Sequence, residues 1–286
     1  MKICNIMLVG ILSLGLTGNA IAGLNDGLIA FYPFNGNAND ESGNGNNGAV
    51  TGAILADDRL GNPNSAYSFD GDNDHITSIP PLPTGAQPRS VTAWFNTTST
   101  SGDTGWFHNT IVNWGEASTN NAFGLSVYLG ELKFGAYGSN DVLTGQIVSD
   151  GSCHHVGVTY DGSMLKVFLD GVEVSQASMT LATMSSNLYI GKRSTEVDQN
   201  MNGTIDNVRI YNRALSTLEI QGLYKGEVSC MEKNVGAVLP NLDVHIPALQ
   251  YESVVGPQNI WVDFEYLGTN LEGRPIWGLK GFGENQ

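Results

Sequence analysis

The run His154-His-Val-Gly-Val-Thr-Tyr-Asp-Gly-Ser-Met-Leu-Lys-Val-Phe-Leu-Asp-Gly-Val-Glu-Val-Ser175 contains two Asp-Gly pairs joining three short β-patterned segments. Asp161-Gly162 and Asp170-Gly171 supply the positive φ angles that tight hairpin turns need. Val156, Val158 and Tyr160, then Leu165, Val167 and Leu169, then Val172 and Val174 recur at period two, so each segment offers one apolar face. The pattern is a β-meander, and it sets an antiparallel all-β core.

Working outward, strand patterns occur at Leu28–Phe34, Tyr67–Phe69, His75–Ile79, Val91–Asn96, Thr110–Trp114, Phe123–Leu129, Leu132–Tyr137, Val142–Val148, Leu188–Ile190 and Thr204–Tyr211, separated by Gly, Ser, Asn and Asp clusters. Many short strands at this spacing imply a two-sheet antiparallel jelly-roll sandwich. One helix is expected: Ser216-Thr-Leu-Glu219 is a capping box, Leu218 and Ile220–Leu223 offer an apolar stripe, and Gly226 is available to end it.

The first 22 residues read as a signal peptide. Lys2 is the positive start, Ile6–Leu16 the apolar stretch, and Ala20-Ile-Ala22 the small-x-small cleavage site. No segment is long enough for a membrane span, which needs roughly 20 apolar residues. A secreted, periplasmic or cell-surface location is expected. The balance of 13 Lys+Arg against 28 Asp+Glu, a net charge of −15, excludes nucleic acid and anionic membrane surfaces as partners. Export places Cys153 and Cys230 in an oxidising compartment, where one disulfide between them is the simplest expectation, provided their Cα atoms come within about 7 Å.

Several landmarks fall in a fixed order: Leu28-Ile-Ala-Phe-Tyr-Pro-Phe-Asn35, Asp40-Glu-Ser-Gly-Asn-Gly-Asn46, Tyr67-Ser-Phe-Asp-Gly71, His155-Val-Gly-Val-Thr-Tyr-Asp-Gly162, Leu169-Asp-Gly171 and Gly203-Thr-Ile-Asp-Asn-Val-Arg-Ile-Tyr-Asn-Arg-Ala-Leu-Ser216. This series resembles laminin-G-like domains of the concanavalin-A-like lectin/glucanase superfamily. The resemblance implies a jelly roll used for binding or adhesion, over residues 23–226, with 227–286 as a C-terminal β-rich extension. It further implies a structural calcium ion, with Asp40 and Asp206 giving carboxylates and Asn44 and Asn46 adding oxygens, a donor set suited to a hard cation. The alternative is an Asn/Gly-rich turn whose side chains bond their own backbone. Many members carry Trp where this chain has Cys153.

Catalysis has little support. A retaining glucanase needs two carboxylates about 5–5.5 Å apart, delivered by a Glu-x-Asp-x-x-Glu or Glu-x-Asp-x-Glu strand, and neither pattern occurs. Asp263-Phe-Glu265 has the facing but lacks the preceding Glu. The expectation is a non-catalytic module that binds carbohydrate or a glycosylated surface. Its preferred ligand loop is Gly102–Asn109, with Asp103, Trp106 and His108, although folding inward as a loop anchor is the commoner fate of residues such as Trp106 or Phe107. Two other readings stand beside it: an adhesive component that docks on an extracellular protein through the C-terminal strands at 242–251, 260–267 and 275–279, and a glycoside hydrolase.

Overall fold

The computed structural model describes residues 23–100, 109–138, 140–193 and 199–228, and beyond them four strand backbones at 251–253, 256–258, 260–269 and 275–284. The signal-peptide stretch, the loop with Asp103, Trp106 and His108, and Cys230 lie outside the described residues. The chain divides into two compact units, Met1–Glu232 and Lys233–Gln286.

In the first unit the strands are β1 (Leu28–Tyr32), β2 (Ala49–Thr51), β3 (Ile54–Ala56), β4 (Ala66–Asp70), β5 (His75–Ser78), β6 (Arg89–Asn96), β7 (Asn109–Gly115), β8 (Ala122–Tyr128), β9 (Glu131–Gly135), β10 (Val142–Ile147), β11 (Cys153–Tyr160), β12 (Met164–Leu169), β13 (Val172–Ser178), β14 (Leu188–Ile190) and β15 (Asn202–Tyr211). Eight form one antiparallel sheet in the order β13-β12-β11-β6-β15-β4-β3, with β1 also on β15. The other seven form the second, β10-β9-β8-β7-β14-β5-β2. The short, exposed β2 and β3 were not legible in the sequence because they carry no apolar alternation to report them.

The sheets stack because each puts an apolar row inward. In the meander Val156 faces Leu169, Val158 faces Val167 and Tyr160 faces Leu165, as their spacing predicts. Across the core, Ile190, Val112, Leu125 and Phe134 stand in register and are buried. The expected face of β13 is kept in part: Val174 packs against the core, while a register shift after Val167 sets Ser175 and Ala177 opposite Val167 and Leu165, and Val172, opposite Leu169, is 62% exposed. Of the two Asp-Gly turns, only the second has both residues at positive φ, 50° at Asp170 and 77° at Gly171. In the first, the Asp161 carboxylate accepts the N–H groups of Ser163 and Met164.

The helix α1 (Thr217–Val228) begins on the predicted capping box. Ser216 Oγ accepts the Glu219 N–H at 3.3 Å, and Glu219 Oε2 accepts the Ser216 N–H at 2.8 Å. It does not stop at Gly226 but continues to Val228, since Gly226 keeps helical φ and has open space around it. Phe168, Tyr211, Leu215, Ile220 and Leu223 form a second apolar cluster on the outer side of the eight-stranded sheet. There Gly157 admits Ile220, whose Cδ1 lies 3.2 Å from where a Cβ would stand.

In the second unit β16 (Tyr251–Ser253) pairs with β17 (Gly256–Gln258), and β18 (Ile260–Thr269) pairs antiparallel with β19 (Pro275–Glu284).

Candidate functional site

The outward face of β7, β8 and β9 is polar where the strands' inward face is apolar, a direct result of period-two alternation. Thr110, Ser126 and Lys133 stand in one cross-strand row, and Asn113, Gly124 and Gly135 in the next. A register shift between Thr110 and Val112 keeps both rows outward while Ile111 and Val112 stay in the core. These residues line a pocket completed by Asp141, Arg193 and Gln199.

The two glycines give the floor its shape. A Cβ on Gly124 would lie 2.6 Å from Asn113 Nδ2, so the missing side chain lets Asn113 lie across the sheet. Gly135 is open, with Asp141 Oδ1, at 3.8 Å from an added Cβ, as its nearest neighbour. Polar side chains are held in place around this floor. Lys133 Nζ meets Asp141 Oδ2 at 2.8 Å and lies over the Tyr128 ring at 5.1 Å. Arg193 Nη1 donates to Gln199 Oε1 at 2.9 Å, and its guanidinium stacks on Tyr137 at 4.7 Å.

Such a surface offers donors, acceptors and aromatic edges in fixed positions, which suits hydroxyl-rich ligands. Among the described residues that line it the one carboxylate is Asp141, which pairs with Lys133 and accepts the Ala136 N–H. The segment carrying Asp103, Trp106 and His108 leads directly into β7, whose second residue, Thr110, lines the pocket. The ligand loop expected from the sequence lies outside the described residues, and this sheet face was not read from the sequence. Glycines inside two neighbouring strand patterns were the available signal.

The residues expected to hold calcium fall into two groups. Asp40, Asn44 and Asn46 come together beside β1. Asp40 Oδ1 accepts the N–H groups of Phe31 and Ser42, and Oδ2 accepts that of Asn46, all at 2.9 Å. Burial alone would raise the Asp40 pKa, but these amides hold it below the ordinary value. The side-chain NH2 groups of Asn44 and Asn46 donate to the Ile29 carbonyl, and that of Asn44 also to Leu28. Asp206 lies on β15 opposite Trp94, and its carboxylate is paired with Arg59.

Around that pair lies a buried aromatic cluster. Arg59 stacks over Trp94 at 4.5 Å, and Tyr224 of α1 stacks on the same indole at 5.7 Å. Trp94 is thus buried, but beneath α1 on the outer side of the sheet instead of between the sheets. His155 adjoins both rings, and neither of its ring nitrogens has a hydrogen-bond partner. Burial, reinforced by Arg209 and Arg59, pushes its pKa down to about 3, so it is neutral. The neighbouring His154 differs. Adjacent strand residues face opposite ways, and His154 meets Asp170 at 2.9 Å and Asp150 at 3.3 Å. Cys153, half-buried, has its thiol pKa raised by burial.

Among the described residues no group of three or more His, Cys, Asp or Glu side chains is arranged to hold a metal ion, and no helix is long and apolar enough to cross a membrane. No curated protein matches the chain. Among solved structures, domain 4 of AbnA, an extracellular arabinanase from Geobacillus stearothermophilus solved with arabinotriose, is similar at 22% identity and a TM-score of 0.55, covering 69% of this chain and 98% of that one. The binding domain of Paraclostridial Mosquitocidal Protein 1 is similar at 17% identity and a TM-score of 0.57, covering 71% of this chain and 53% of that one. The ligand binding domain of Botulinum neurotoxin serotype D, solved with N-acetylneuraminic acid, is similar at 17% identity and a TM-score of 0.56, covering 73% and 53%. The chain thus spans about half the length of these toxin domains. At such identities the likeness shows the fold, a sandwich shared with binding domains. The model of the Concanavalin A-like lectin/glucanases superfamily, of laminin-G type, matches residues 70–221, more than half of the sequence, and the chain belongs to that family.

Proposed function

We propose that this protein is an exported, non-catalytic carbohydrate-binding module whose ligand lies on the outward face of β7–β9. The observation that carries this reading is the pair of polar rows around Gly124 and Gly135, bordered by Tyr128 and Tyr137. Support comes also from the similar domains solved with arabinotriose and with N-acetylneuraminic acid. The ligand loop expected from the sequence, with Asp103, Trp106 and His108, precedes β7 in the chain and is the second part of the proposed site.

The test is a glycan array on the purified chain, followed by calorimetry on any hit with wild type and Gly135→Leu. Gly135 has no positive φ and open space above it, so the larger side chain fills the pocket without straining the strand. Binding should fall at least roughly tenfold, the effect of about 1.4 kcal/mol, with an unchanged melting temperature. No glycan bound by the wild type, or equal affinity in the variant, would defeat the proposal.

A second reading, docking onto an extracellular protein through the C-terminal strands, is favoured by one observation. The β18–β19 register sets Val262 level with Phe282, Phe264 with Leu279 and Tyr266 with Trp277, apolar residues paired on two strands, and an isolated two-stranded hairpin is marginally stable in water. A pull-down that loses its partner when residues 256–286 are deleted, while glycan binding persists, would select this reading.

A further inference from the structure

The calcium ion implied for laminin-G-like domains would be shared here between Asp40 and Asp206, and the residues present do not fit it. Both carboxylates and the Asn46 carbonyl are already engaged by the protein. Asp40 takes three backbone N–H groups. The Asn46 carbonyl accepts Tyr32 Oη–H and Ser78 Oγ–H, each at 2.7 Å. The Asn44 and Asn46 side chains turn NH2 groups, not oxygens, toward the β1 carbonyls. Turning either amide over would present an oxygen but strip a donor from Ile29.

Asp206 is the decisive group. A buried carboxylate needs a compensating charge, because desolvation otherwise drives it to take up a proton. That charge is present in Arg59. The two side chains are 4% and 6% exposed, and the guanidinium is braced flat on Trp94. A second guanidinium, Arg209, lies over the Phe31 ring at 3.9 Å, and Phe31 is the residue whose N–H Asp40 accepts. Two guanidinium cations are thus already packed on the elements that carry the carboxylates, Arg59 on Asp206 itself and Arg209 on the Phe31 ring.

We infer that Arg59 occupies the electrostatic role of the cation in this chain, pairing Asp206 and pinning the loop between β3 and β4 onto the sheet, so that the domain folds and holds its shape without calcium. The inference is independent of the glycan reading, since it concerns the opposite sheet.

The experiment is thermal unfolding of the purified full chain, after metal analysis, in chelator and in millimolar calcium, for wild type, Arg59→Gln, Asp206→Asn and the double variant. The expected result is substoichiometric calcium in the wild type and a melting temperature equal in both conditions to within about 1 °C. Breaking a buried pair from either side should lower that temperature by on the order of 10 °C, and the double variant should recover more than half of the loss. A melting temperature several degrees lower in chelator, about one calcium per chain on purification, or an Arg59→Gln variant as stable as wild type would overturn the inference. If Arg59→Gln fails to fold, the wild-type metal content and chelator response still decide it.

Discussion

Arg89 offers the sharpest test of how this sandwich is held together. Its side chain is fully buried, and among the described residues its guanidinium donates to main-chain carbonyls. Nε donates to Gln87 at 2.9 Å, Nη1 to Pro83 at 2.9 Å, and Nη2 to Gly85 at 2.6 Å and Thr84 at 3.3 Å, while the rings of Phe123 and Tyr160 lie 5.3 and 5.7 Å from the cation. The Pro83 carbonyl is shared with Trp114 Nε1 at 3.2 Å, so Arg89 ties the Pro-rich segment before β6 to the strand that carries Asn113. Burial pushes its pKa down to about 10, which leaves it charged at pH 7.

Replacing Arg89 with Met keeps the length and removes the donors. Four bonds from a charged donor are worth about 1.5 kcal/mol each at the low end, or about 6 kcal/mol together. Against this stands the recovered desolvation of the guanidinium, several kcal/mol. A net loss of about 3 kcal/mol follows. Urea unfolding at pH 7, followed by circular dichroism, measures it directly, and on heating it corresponds to a drop of roughly 6–12 °C. Arg89→Lys keeps the charge but not the fork, so it should recover less than half. A Met variant within about 1 kcal/mol of wild type would refute the reasoning, because the carbonyls would then be equally well served by water.

The remaining expectations are smaller. Hydrogen bonding to Asp170, opposed by burial and helped by Asp150, raises the His154 pKa above 6.5, so its stabilisation is complete below pH 6.5 and is lost as pH rises through the folded-state value; the urea midpoint should fall across that window, and an equal fall in His154→Gln would remove the assignment. Ser216→Ala deletes the α1 cap and should cost about 1 kcal/mol in the same assay. Gly203→Ala forces a Cβ to within 2.1 Å of the Asn96 carbonyl at φ +147°, and a soluble variant with unchanged melting temperature would contradict the geometry. The Cys153–Cys230 bridge proposed from the sequence requires that the unreduced, purified chain show no thiol reactive to alkylation after unfolding, read by mass.

Local rules carried far in this chain. The meander, most other strands and the capped helix were legible because each depends on short-range features: alternation at period two, an Asp-Gly turn, a Ser and Glu three residues apart. The same rules failed where partners intervened. Val172 fits its alternation and pairs with Leu169 but stays exposed at the start of the edge strand β13, and Trp94 sits in an apolar run but is covered by Tyr224 from a helix far along the chain. The ordered Asp40–Asn46 loop and Asp206 also marked real structural junctions. Their charges, however, were answered by backbone amides and by Arg59, a residue without any sequence-level mark.

The sequence by itself determined an antiparallel sandwich, because backbone hydrogen-bonding preference and the burial of alternating apolar residues are written locally; the laminin-G type came from the resemblance its ordered landmarks carry. Only the tertiary structure decided which polar residues share a surface. Thr110, Ser126 and Lys133 are scattered in the chain and become neighbours through strand register, and Arg59 and Asp206, 147 residues apart, become a buried pair through sheet order. Long-range register is set by the sum of the core contacts, which no single segment contains.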